Sequence, residues 1–341
     1  MFELNKITRT NIEKLMAYSS ARDEFTGASG VFLDANENPY GVLNRYPDPY
    51  QKELKSEINK CTGIDPNNLF IGNGSDEVID LLFRIFCIPA KDKVLTFSPT
   101  YGMYSVSAAI NDVELIKSEL DADFNINYAA IEPLLTDPNL KMILICSPNN
   151  PTGNCFDKET IQRILNNFDG IVVVDEAYID FSDTASCVEL LSINPNLVVS
   201  QTMSKAWGLA AARIGFAYAS EAIITLLNKV KPPYNVSKLN QEAALEALNN
   251  IDTYKENRRI ILKEKQRLFD ALNDLTIVGK VYPSEANFFL VEMDDADKVY
   301  VLLVAQRIIV RNRNTVVRNC LRITVGTAEE NELLITALKA I

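Results

Sequence analysis

The sequence predicts an α/β protein with a mostly parallel central sheet, followed by a smaller α+β domain. Short apolar runs, each ending in a polar or glycine-rich turn before a stretch of helical spacing, alternate through the first 235 residues. Residues 171–174 are apolar throughout, which indicates a strand buried on both faces, as in a parallel sheet. We therefore predict an arm at residues 1–30, a large α/β domain at 31–235 and a small α+β domain at 236–341.

The composition is that of an ordinary globular chain. It has 341 residues, of which 47% are hydrophobic and 23% charged. No apolar run approaches the roughly 18 residues that cross a bilayer, and the N-terminus lacks the apolar core of a signal peptide, so we expect a cytoplasmic location. Because the net charge is −11 and no basic run is present, we expect neither a nucleic-acid nor a membrane partner.

The sequence contains no histidine. Serine–histidine–aspartate triads, cysteine–histidine dyads and imidazole-ligated metals are therefore excluded. The six cysteines are scattered without a Cys-x-x-Cys pair, which favours buried small side chains over a disulfide or zinc site. Any proton transfer must use lysine, tyrosine, a carboxylate, cysteine or a cofactor.

The first 50 residues are polar and rich in loops. A short helical pattern around Ile12 leads to Tyr18, and it is typical either of an arm that reaches a neighbouring subunit or of a frayed terminus. Residues 31–49 read as one short strand and then loops with several prolines and asparagines. Tyr46 lies in these loops, and the local sequence assigns it no role.

The strand predicted at residues 69–71 runs into a glycine turn that contains Gly74, Ser75 and Asp76. Helical spacing begins directly after this turn. A strand, a glycine turn and a helix N-terminus in that order form an anion site from free backbone N–H groups. An ordinary helix cap is the alternative.

Two further predicted strands deliver polar side chains to their carboxyl ends, where α/β sheets bind ligands. Residues 94–97 lead to Tyr101, and residues 141–146 lead to a loop with two prolines that contains Asn150. Asparagine in such a loop often caps its own turn, so the position alone does not assign Asn150 a function.

The strand at 171–174 ends in Asp175, and Tyr178 follows three residues later. A carboxylate at a buried strand end costs several kcal/mol unless it meets a cation or several hydrogen-bond donors. The cation could be the pyridinium nitrogen of a cofactor, or a neighbouring lysine or arginine.

The stretch from Ser200 to Phe216 is centred on Lys205, with Thr202, Ser204 and Arg213 close by. Two hydroxyls and a guanidinium suit a dianionic phosphate. An aldehyde held beside the lysine would react with its amine to form an imine. A lysine beside a phosphate cup is what pyridoxal 5′-phosphate requires, although a solvated serine–lysine pair is the alternative for this stretch taken alone.

The C-terminal third reads as helices followed by short strands. We predict helices at 239–248 and 253–272 and strands at 286–291, 306–311 and 321–325. Arg322 alternates with apolar neighbours in the last strand, and the default interpretation is an exposed arginine. Thr327 and Glu330 form a capping box that opens the last helix.

Taken in order, these stretches resemble the fold-type I pyridoxal-phosphate-dependent aminotransferases across almost the whole chain. The resemblance rests on Ser-Pro-Asn-Asn-Pro-Thr-Gly at 147–153, Val-Val-Asp-Glu-Ala-Tyr at 173–178, and Thr-Met-Ser-Lys at 202–205 with Arg213. Within that group the chain is most similar to the histidinol-phosphate aminotransferases. The finer matches are Leu-Asp-Ala-Asn-Glu-Asn-Pro at 33–39, Arg-Tyr-Pro at 45–47, Pro-Thr-Tyr-Gly-Met-Tyr at 99–104 and Leu-Arg-Ile-Thr-Val-Gly-Thr at 321–327.

The resemblance implies a role for each candidate residue. Lys205 carries the cofactor as an imine and shuttles the proton between the substrate Cα and the cofactor. Asp175 pairs with the pyridinium nitrogen, Asn150 and Tyr178 hydrogen-bond the phenolic oxygen, and Tyr101 stacks on the ring.

Two anion sites are implied as well. The cofactor phosphate is held by Thr202, Ser204, Arg213, the backbone at Gly74, Ser75 and Asp76, and Tyr46 from the other subunit of a homodimer. The anionic end of the substrate is received by Tyr18, Asn150, Arg311 and Arg322. The chain departs from the family pattern in Ala211-Ala212 and in the Met-Ala-Tyr that ends at Tyr18, and both departures leave the spacing intact.

The implied reaction moves an amino group between L-histidinol phosphate and 2-oxoglutarate, giving imidazole acetol phosphate and L-glutamate. Another fold-type I enzyme, such as a threonine-phosphate decarboxylase or an aromatic aminotransferase, is the nearest alternative. A cofactor-binding regulatory module would need an additional basic DNA-binding domain, and the acidic composition argues against it.

Overall fold

The computed structural model describes residues 2–18 and 30–341. Within them a seven-stranded sheet has the strand order β1-β7-β6-β5-β4-β2-β3. Strands β2 to β6 pair in parallel, whereas β7 runs antiparallel to both β1 and β6. A second sheet is antiparallel, with the order β10-β11-β9-β8. The predicted α/β class with a mostly parallel central sheet and a smaller α+β part is confirmed.

The elements follow one another in the order that the sequence predicts. The strands are β1 (Leu69–Asn73), β2 (Lys93–Ser98), β3 (Glu114–Glu119), β4 (Leu140–Cys146), β5 (Ile171–Asp175), β6 (Leu197–Thr202), β7 (Ile214–Ala219), β8 (Val278–Val281), β9 (Phe288–Met293), β10 (Arg311–Asn312) and β11 (Cys320–Thr324). The α-helices are α1 (Leu4–Ile7), α2 (Thr10–Glu13), α3 (Lys52–Thr62), α4 (Ser75–Phe86), α5 (Met103–Ile110), α6 (Tyr128–Ile131), α7 (Lys158–Asn167), α8 (Glu221–Val230), α9 (Lys238–Asn249), α10 (Ile251–Asn273), α11 (Ala296–Ala305) and α12 (Ala328–Lys339).

The large sheet is covered on both faces, and strand β5 shows why its sequence is apolar throughout. Val172 and Val174 face one core layer, which helices α3, α7 and α9 complete. Ile171 and Val173 face the opposite layer, which helices α4, α5 and α8 complete. Alternate side chains of a strand point to opposite faces, so a strand between two helical layers must be apolar at every position.

The small sheet has a separate core. Leu268 and Leu272 of α10, Val299 and Leu303 of α11 and Leu334 of α12 pack against the apolar faces of β9 and β11. The described part of the chain contains no helix that is both long and apolar enough to cross a membrane.

The packing bears on the predicted domain boundaries, which stay predictions. Ala244 and Leu248 of α9 are buried in a core layer of the large sheet, so a boundary after this helix fits the packing better than one at residue 235. Ile12 in the predicted arm is buried beside α4, and the N–H of Arg9 donates to the carbonyl of Ile85 at 3.1 Å. Residue 1 and residues 19–29 of the arm lie outside the described residues.

Two predicted strands are wrong. The short strand expected within residues 31–49 does not form, because these residues are loops and bends. Residues 306–311 do not form an extended strand, because Gln306 caps the C-terminus of helix α11 and strand β10 contains only Arg311 and Asn312. Arg307 adopts a positive φ of 61°. The apolar residues 308–310 indicated a strand, but they follow the helix end directly and leave too little chain for one.

Candidate active site

One cavity at the carboxyl ends of strands β4 to β6 gathers most of the predicted cofactor site. Parallel strands end at the same edge of a sheet, and their following loops meet there. The cavity is lined by Ser75, Asp76, Tyr101, Cys146, Asp175, Ala177, Tyr178, Thr202, Ser204, Lys205 and Arg213. The cysteine and alanine of this set carry no signal in the sequence that would single them out.

Asp175, the last residue of β5, is buried and only half satisfied. Its Oδ2 accepts a hydrogen bond from the Tyr104 hydroxyl at 2.9 Å, whereas Oδ1 is buried without any hydrogen-bond partner. Burial raises the pKa of the Asp175 carboxyl to about 6, although the bond from Tyr104 opposes the shift. An orphaned carboxylate oxygen at a cavity wall requires a donor that the protein itself does not provide.

Tyr104 was not among the predicted site residues. Tyr104 lies in the first turn of α5, three residues after Tyr101, and its side chain is fully buried. The rings of Tyr104 and Tyr101 pack edge to face at a centroid distance of 5.5 Å. The hydroxyl of Tyr104 fixes the orientation of the Asp175 carboxylate. The sequence contains no local signal for this contact, because Tyr101 precedes the helix and does not share a helical face with Tyr104.

Lys205 lies in the turn after β6 and faces the same cavity. Its Nζ lies 5.5 Å from the centroid of the Tyr178 ring. Desolvation, then the positive charge of Arg322, lowers the pKa of the Lys205 amine below its ordinary value, while Asp175 and Asp76 oppose the change. A lysine with a lowered pKa has a larger fraction of neutral, nucleophilic amine near neutral pH.

A second group of donors lies opposite Asp175, around the N-terminus of α4. The Thr202 and Ser204 hydroxyls are 3.0 Å apart, and Arg213 lies within 3.5 Å of Asp76. Gly74 precedes the helix, and no side chain caps it, so the N–H groups of its first turn point outward without a capping acceptor. Hydroxyls, a guanidinium and a helix N-terminus together form an anion site.

Two glycines allow Arg213 and the N-terminus of α4 to lie this close to their neighbours. A β-carbon at Gly74, which has a φ of 82°, would lie 2.6 Å from Nη2 of Arg213. A β-carbon at Gly215 in β7 would lie 2.1 Å from the backbone nitrogen of Ser75. Side chains at either position would force the arginine or the helix N-terminus out of place.

A hydrogen-bonded chain links the two sheets across the cavity. Nη1 of Arg322 in β11 donates to Oδ1 of Asn150 at 2.6 Å, and Nδ2 of Asn150 lies 3.1 Å from the Tyr178 hydroxyl. The guanidinium of Arg322 also lies 5.3 Å from the centroid of the Phe288 ring. The default interpretation of Arg322 as an exposed arginine is wrong, because the side chain turns into the junction between the sheets.

Arg311 and Arg322 are direct partners across the β10–β11 pair, and both line a cavity of about 600 Å³. Arg313 was missed in the sequence. Its Nε is buried without a hydrogen-bond partner, as is the Nε of Arg322. Burial, followed by the like charges of Arg322 and Arg311, lowers the pKa of the Arg313 guanidinium.

Among the predicted residues, Arg311, Tyr46 and Tyr18 do not line the Lys205 cavity within one chain, and Arg311 lines the separate cavity of about 600 Å³. The Tyr46 ring stacks on Tyr234 at a centroid distance of 4.4 Å. Tyr18 is 65% exposed and borders a small pocket with Tyr50 and Pro233. The predicted contacts of Tyr46 and Tyr18 therefore require a second subunit or a different position of the arm.

Comparisons with known proteins place this geometry in context. The family model described as "Aminotransferase class I and II" matches residues 31–338. A histidinol-phosphate aminotransferase of Cytophaga hutchinsonii is 50% identical over 345 residues, which cover 99% of this chain and 99% of that relative.

Solved structures share the fold. The crystal structure of the histidinol-phosphate aminotransferase from Clostridium acetobutylicum has a TM-score of 0.80 at 24% identity, over 90% of this chain and 97% of that chain. The histidinol-phosphate aminotransferase from Sinorhizobium meliloti, solved in complex with pyridoxal-5′-phosphate, has a TM-score of 0.79 at 24% identity, over 90% and 89% of the two chains. At these identities the two structures support the fold alone.

Proposed function

The chain belongs to the family of class I and II aminotransferases, and we propose that it transfers an amino group between L-histidinol phosphate and 2-oxoglutarate, with pyridoxal 5′-phosphate as its cofactor. The products are imidazole acetol phosphate and L-glutamate. The reaction is supported by the similarity to a histidinol-phosphate aminotransferase that is 50% identical over 99% of both chains. The observation that carries the substrate class is a pair of arginines, Arg311 and Arg322, which face each other across the β10–β11 pair and form no ion pair with a carboxylate among the described residues. Arg322 is connected to Tyr178 of the Lys205 cavity through its hydrogen bond to Asn150.

The residues of the cavity fit pyridoxal 5′-phosphate. The orphaned Oδ1 of Asp175 matches the protonated ring nitrogen, and the donors around Thr202, Ser204 and Arg213 match the phosphate at the other end of the ring. When bound, this cofactor supplies an aldehyde for the amine and a ring that stabilises negative charge at the substrate Cα.

The protein contributes positioning and proton transfer. Lys205 has a lowered pKa, so its amine is suited to take the proton from the substrate Cα and return it. Asn150 and Tyr178 hold one edge of the cavity through their mutual hydrogen bond, and Asp175 holds the other as an ionised acceptor. The two arginines bind a phosphate in one half-reaction and a carboxylate in the other, because guanidinium forks fit both anions.

A homodimer with shared active sites is part of the proposal. Val31, Leu33, Tyr40 and Val42 are 83–93% exposed in a single chain, and contiguous apolar surface of this kind marks an interface. They flank a groove of about 560 Å³ that Tyr46 helps to line. A second copy of the chain would cover this surface and bring Tyr46 to the neighbouring cavity. The cytoplasmic location stays a prediction.

Spectroscopy with single substrates tests the reaction. The purified protein, saturated with pyridoxal 5′-phosphate, is expected to lose the visible absorption band of the bound cofactor on addition of L-histidinol phosphate. Addition of 2-oxoglutarate is expected to restore the band. Phosphothreonine and phenylalanine serve as competing donors, and Lys205→Ala as the inactive control. Release of carbon dioxide from phosphothreonine, or equal response to phenylalanine, would replace the proposed substrate with one of the alternatives.

A further inference from the structure

The ribbon formed by β10 and β11 presents different chemistry on its two faces. Nδ2 of Asn312 donates to Oδ1 of Asp297 at 2.6 Å, and Nδ2 of Asn314 donates to Oδ2 of the same carboxylate at 2.8 Å. Both asparagines therefore point toward helix α11. Because alternate residues of an extended chain point to opposite sides, Arg311 and Arg313 point away from that helix, to the side of the ribbon on which Arg322 contacts Asn150.

The pairing of the ribbon places Arg322 on the same side. Arg311 and Arg322 face each other in register, and the N–H of Arg313 donates to the carbonyl of Cys320 at 2.9 Å, which continues the ladder by one step. Directly opposed residues of an antiparallel pair share a face, and so do residues two apart on one strand. Three guanidinium groups consequently lie on the one face of the ribbon that borders the junction with the large sheet.

This face of the ribbon has no ion-paired carboxylate in the described part of the chain. Within residues 2–18 and 30–341, none of the three arginines forms an ion pair with a carboxylate. Asp297 of helix α11, the acid that contacts the ribbon asparagines, has each of its oxygens bonded to one of them.

Burial, followed by repulsion from Arg322 and Arg311, lowers the pKa of the Arg313 guanidinium, and Tyr178 opposes the change. The interaction with Tyr178 agrees with the pairing, which places Arg313 on the side of the ribbon next to Arg322. Within the described residues the Nε groups of Arg313 and Arg322 are buried without hydrogen-bond partners, and the exposed Arg311 adds a third positive charge beside them. This arrangement favours an external anion.

We propose that Arg313 is a third arginine of the substrate's anion site, and that it gives the enzyme its preference for a phosphate over a carboxylate. This inference rests on the proposed function. A phosphate monoester carries close to two negative charges at pH 7 and three acceptor oxygens, so it can engage three forks. A carboxylate carries one charge and is satisfied by one bidentate fork. Arg313 is therefore a specificity-determining residue, and Arg311 and Arg322 serve both half-reactions.

The test compares Arg313→Gln with wild-type enzyme in both half-reactions. Loss of one charge-assisted contact is expected to raise KM for L-histidinol phosphate about 10-fold with little change in kcat, and to change KM for L-glutamate less than about 3-fold. Arg313→Lys keeps the positive charge but not the two parallel N–H donors, and its KM for L-histidinol phosphate is expected to lie between those of wild type and Arg313→Gln. Arg318→Gln removes an exposed arginine from the same loop and is the matched control.

A binding measurement makes the test independent of the substrate. Titration calorimetry of inorganic phosphate into the cofactor-loaded protein is expected to show about 10-fold weaker binding for Arg313→Gln than for wild type and Arg318→Gln. Equal phosphate affinity, or equal losses for both amino donors, would overturn the role of Arg313. If the wild-type enzyme does not react with L-histidinol phosphate and phosphate binding still depends on Arg313, the proposed reaction is wrong and the proposed anion site is supported.

Discussion

The carboxyl group of Asp175 is destabilising in the cofactor-free protein, because one of its oxygens is buried without a donor. Its native pKa is about 6, whereas the ordinary value is 3.8. Between these pH values the native state binds the proton and the unfolded state does not, so the contribution of Asp175 to stability falls as pH rises through this window. Above pH 6 the penalty is constant at about 3 kcal/mol.

Asp175→Asn is therefore expected to stabilise the cofactor-free protein by up to about 3 kcal/mol at pH 8 and to have little effect at pH 4. Added pyridoxal 5′-phosphate is expected to stabilise wild type more than the variant, which keeps Lys205 and the phosphate donors but loses the charge opposite the ring nitrogen. Thermal unfolding at the two pH values, with and without cofactor, measures both effects. Asp123→Asn, at an exposed position, is the control. A variant gain that is the same at both pH values would contradict the assignment.

Tyr104 makes its contribution through Asp175. Tyr104→Phe removes the 2.9 Å bond to Oδ2 and leaves both carboxylate oxygens without a donor. The pKa of Asp175 is then expected to rise further, and cofactor affinity near pH 7 to fall about 10-fold. The readout is the pH dependence of pyridoxal 5′-phosphate binding, whose midpoint should move upward. Tyr218→Phe, at another buried tyrosine, should leave that midpoint in place.

For single residues, the sequence predicted the site residues that come after strands, and it missed the site residues whose positions depend on tertiary packing. Asp175 comes directly after an apolar run, and Lys205 lies in the turn that follows the next strand, so both are expected at the edge where parallel strands end. Tyr104 and Arg313 carry no such marker. Their positions depend on how a helix or a two-residue strand packs against the cavity, and no local spacing encodes that.

Among the secondary-structure elements, length decided which predictions were correct. Strands β4 and β5 and helices α9 and α10 lie within a few residues of their predicted bounds, because each has a periodic pattern along its whole length. The strand predicted at residues 306–311 was wrong, because three apolar residues after a helix are compatible with either a strand or a loop. Strand β10 is defined by its pairing with β11, which is a contact between distant parts of the chain.

Helix α3 contains a buried lysine that the proposed reaction does not use. Lys55 is 7% exposed and forms no hydrogen bond or ion pair through its amine within the described residues. Burial, and then the charge of Lys231, lowers the pKa of its amine to about 8 from 10.5. The amine of Lys231 donates to the carbonyls of Pro49 and Pro233 and to Oδ1 of Asn235.

Lys55→Met is expected to stabilise the protein at pH 7 by up to about 3 kcal/mol, since the apolar stem is kept and the unpaired charge is removed. Between pH 8 and 10.5 the unfolded lysine holds its proton while the native one has lost it, so wild-type stability rises with pH and the gap closes. Urea unfolding at pH 7 and pH 10 measures the difference. Lys52→Met, at an exposed position of the same helix, should show no comparable gain. An equal gain at both pH values would contradict this account.

In the whole molecule, contacts between the two sheets position the site. Ser182 and Thr184 from the large sheet's side both donate to the carboxylate of Glu285, just before β9. Trp207, two residues after Lys205, stacks on Tyr254 of α10 at a centroid distance of 4.0 Å. The sequence predicted two folded parts, but these pairs are up to 103 residues apart, and a single sequence contains no local signal for such contacts.

The proposed shared site predicts that two inactive variants, mixed in one dimer, recover activity that neither variant has alone. Lys205→Ala removes the reactive amine, and Tyr46→Ala removes the group that the partner would lend to the cofactor phosphate. In a mixed dimer of the two variants, one site has lost both groups. The other site has an intact Lys205 from one chain and an intact Tyr46 from its partner. Random mixing of equal amounts gives mixed dimers as about half of all dimers, so about a quarter of all sites should be complete.

The two variants are unfolded together and refolded, and activity is then measured at limiting cofactor. The activity of the mixture should reach about a quarter of the wild-type value, which is more than the sum of the activities of the two separate variants. The same treatment with Tyr40→Ala in place of Tyr46→Ala controls for the exposed aromatic surface, because Tyr40 is not proposed to contact the cofactor. Recovery no greater than the sum would mean that Tyr46 acts within its own chain or not at all. In that case the stacked position on Tyr234 is its functional one, and the shared site is wrong.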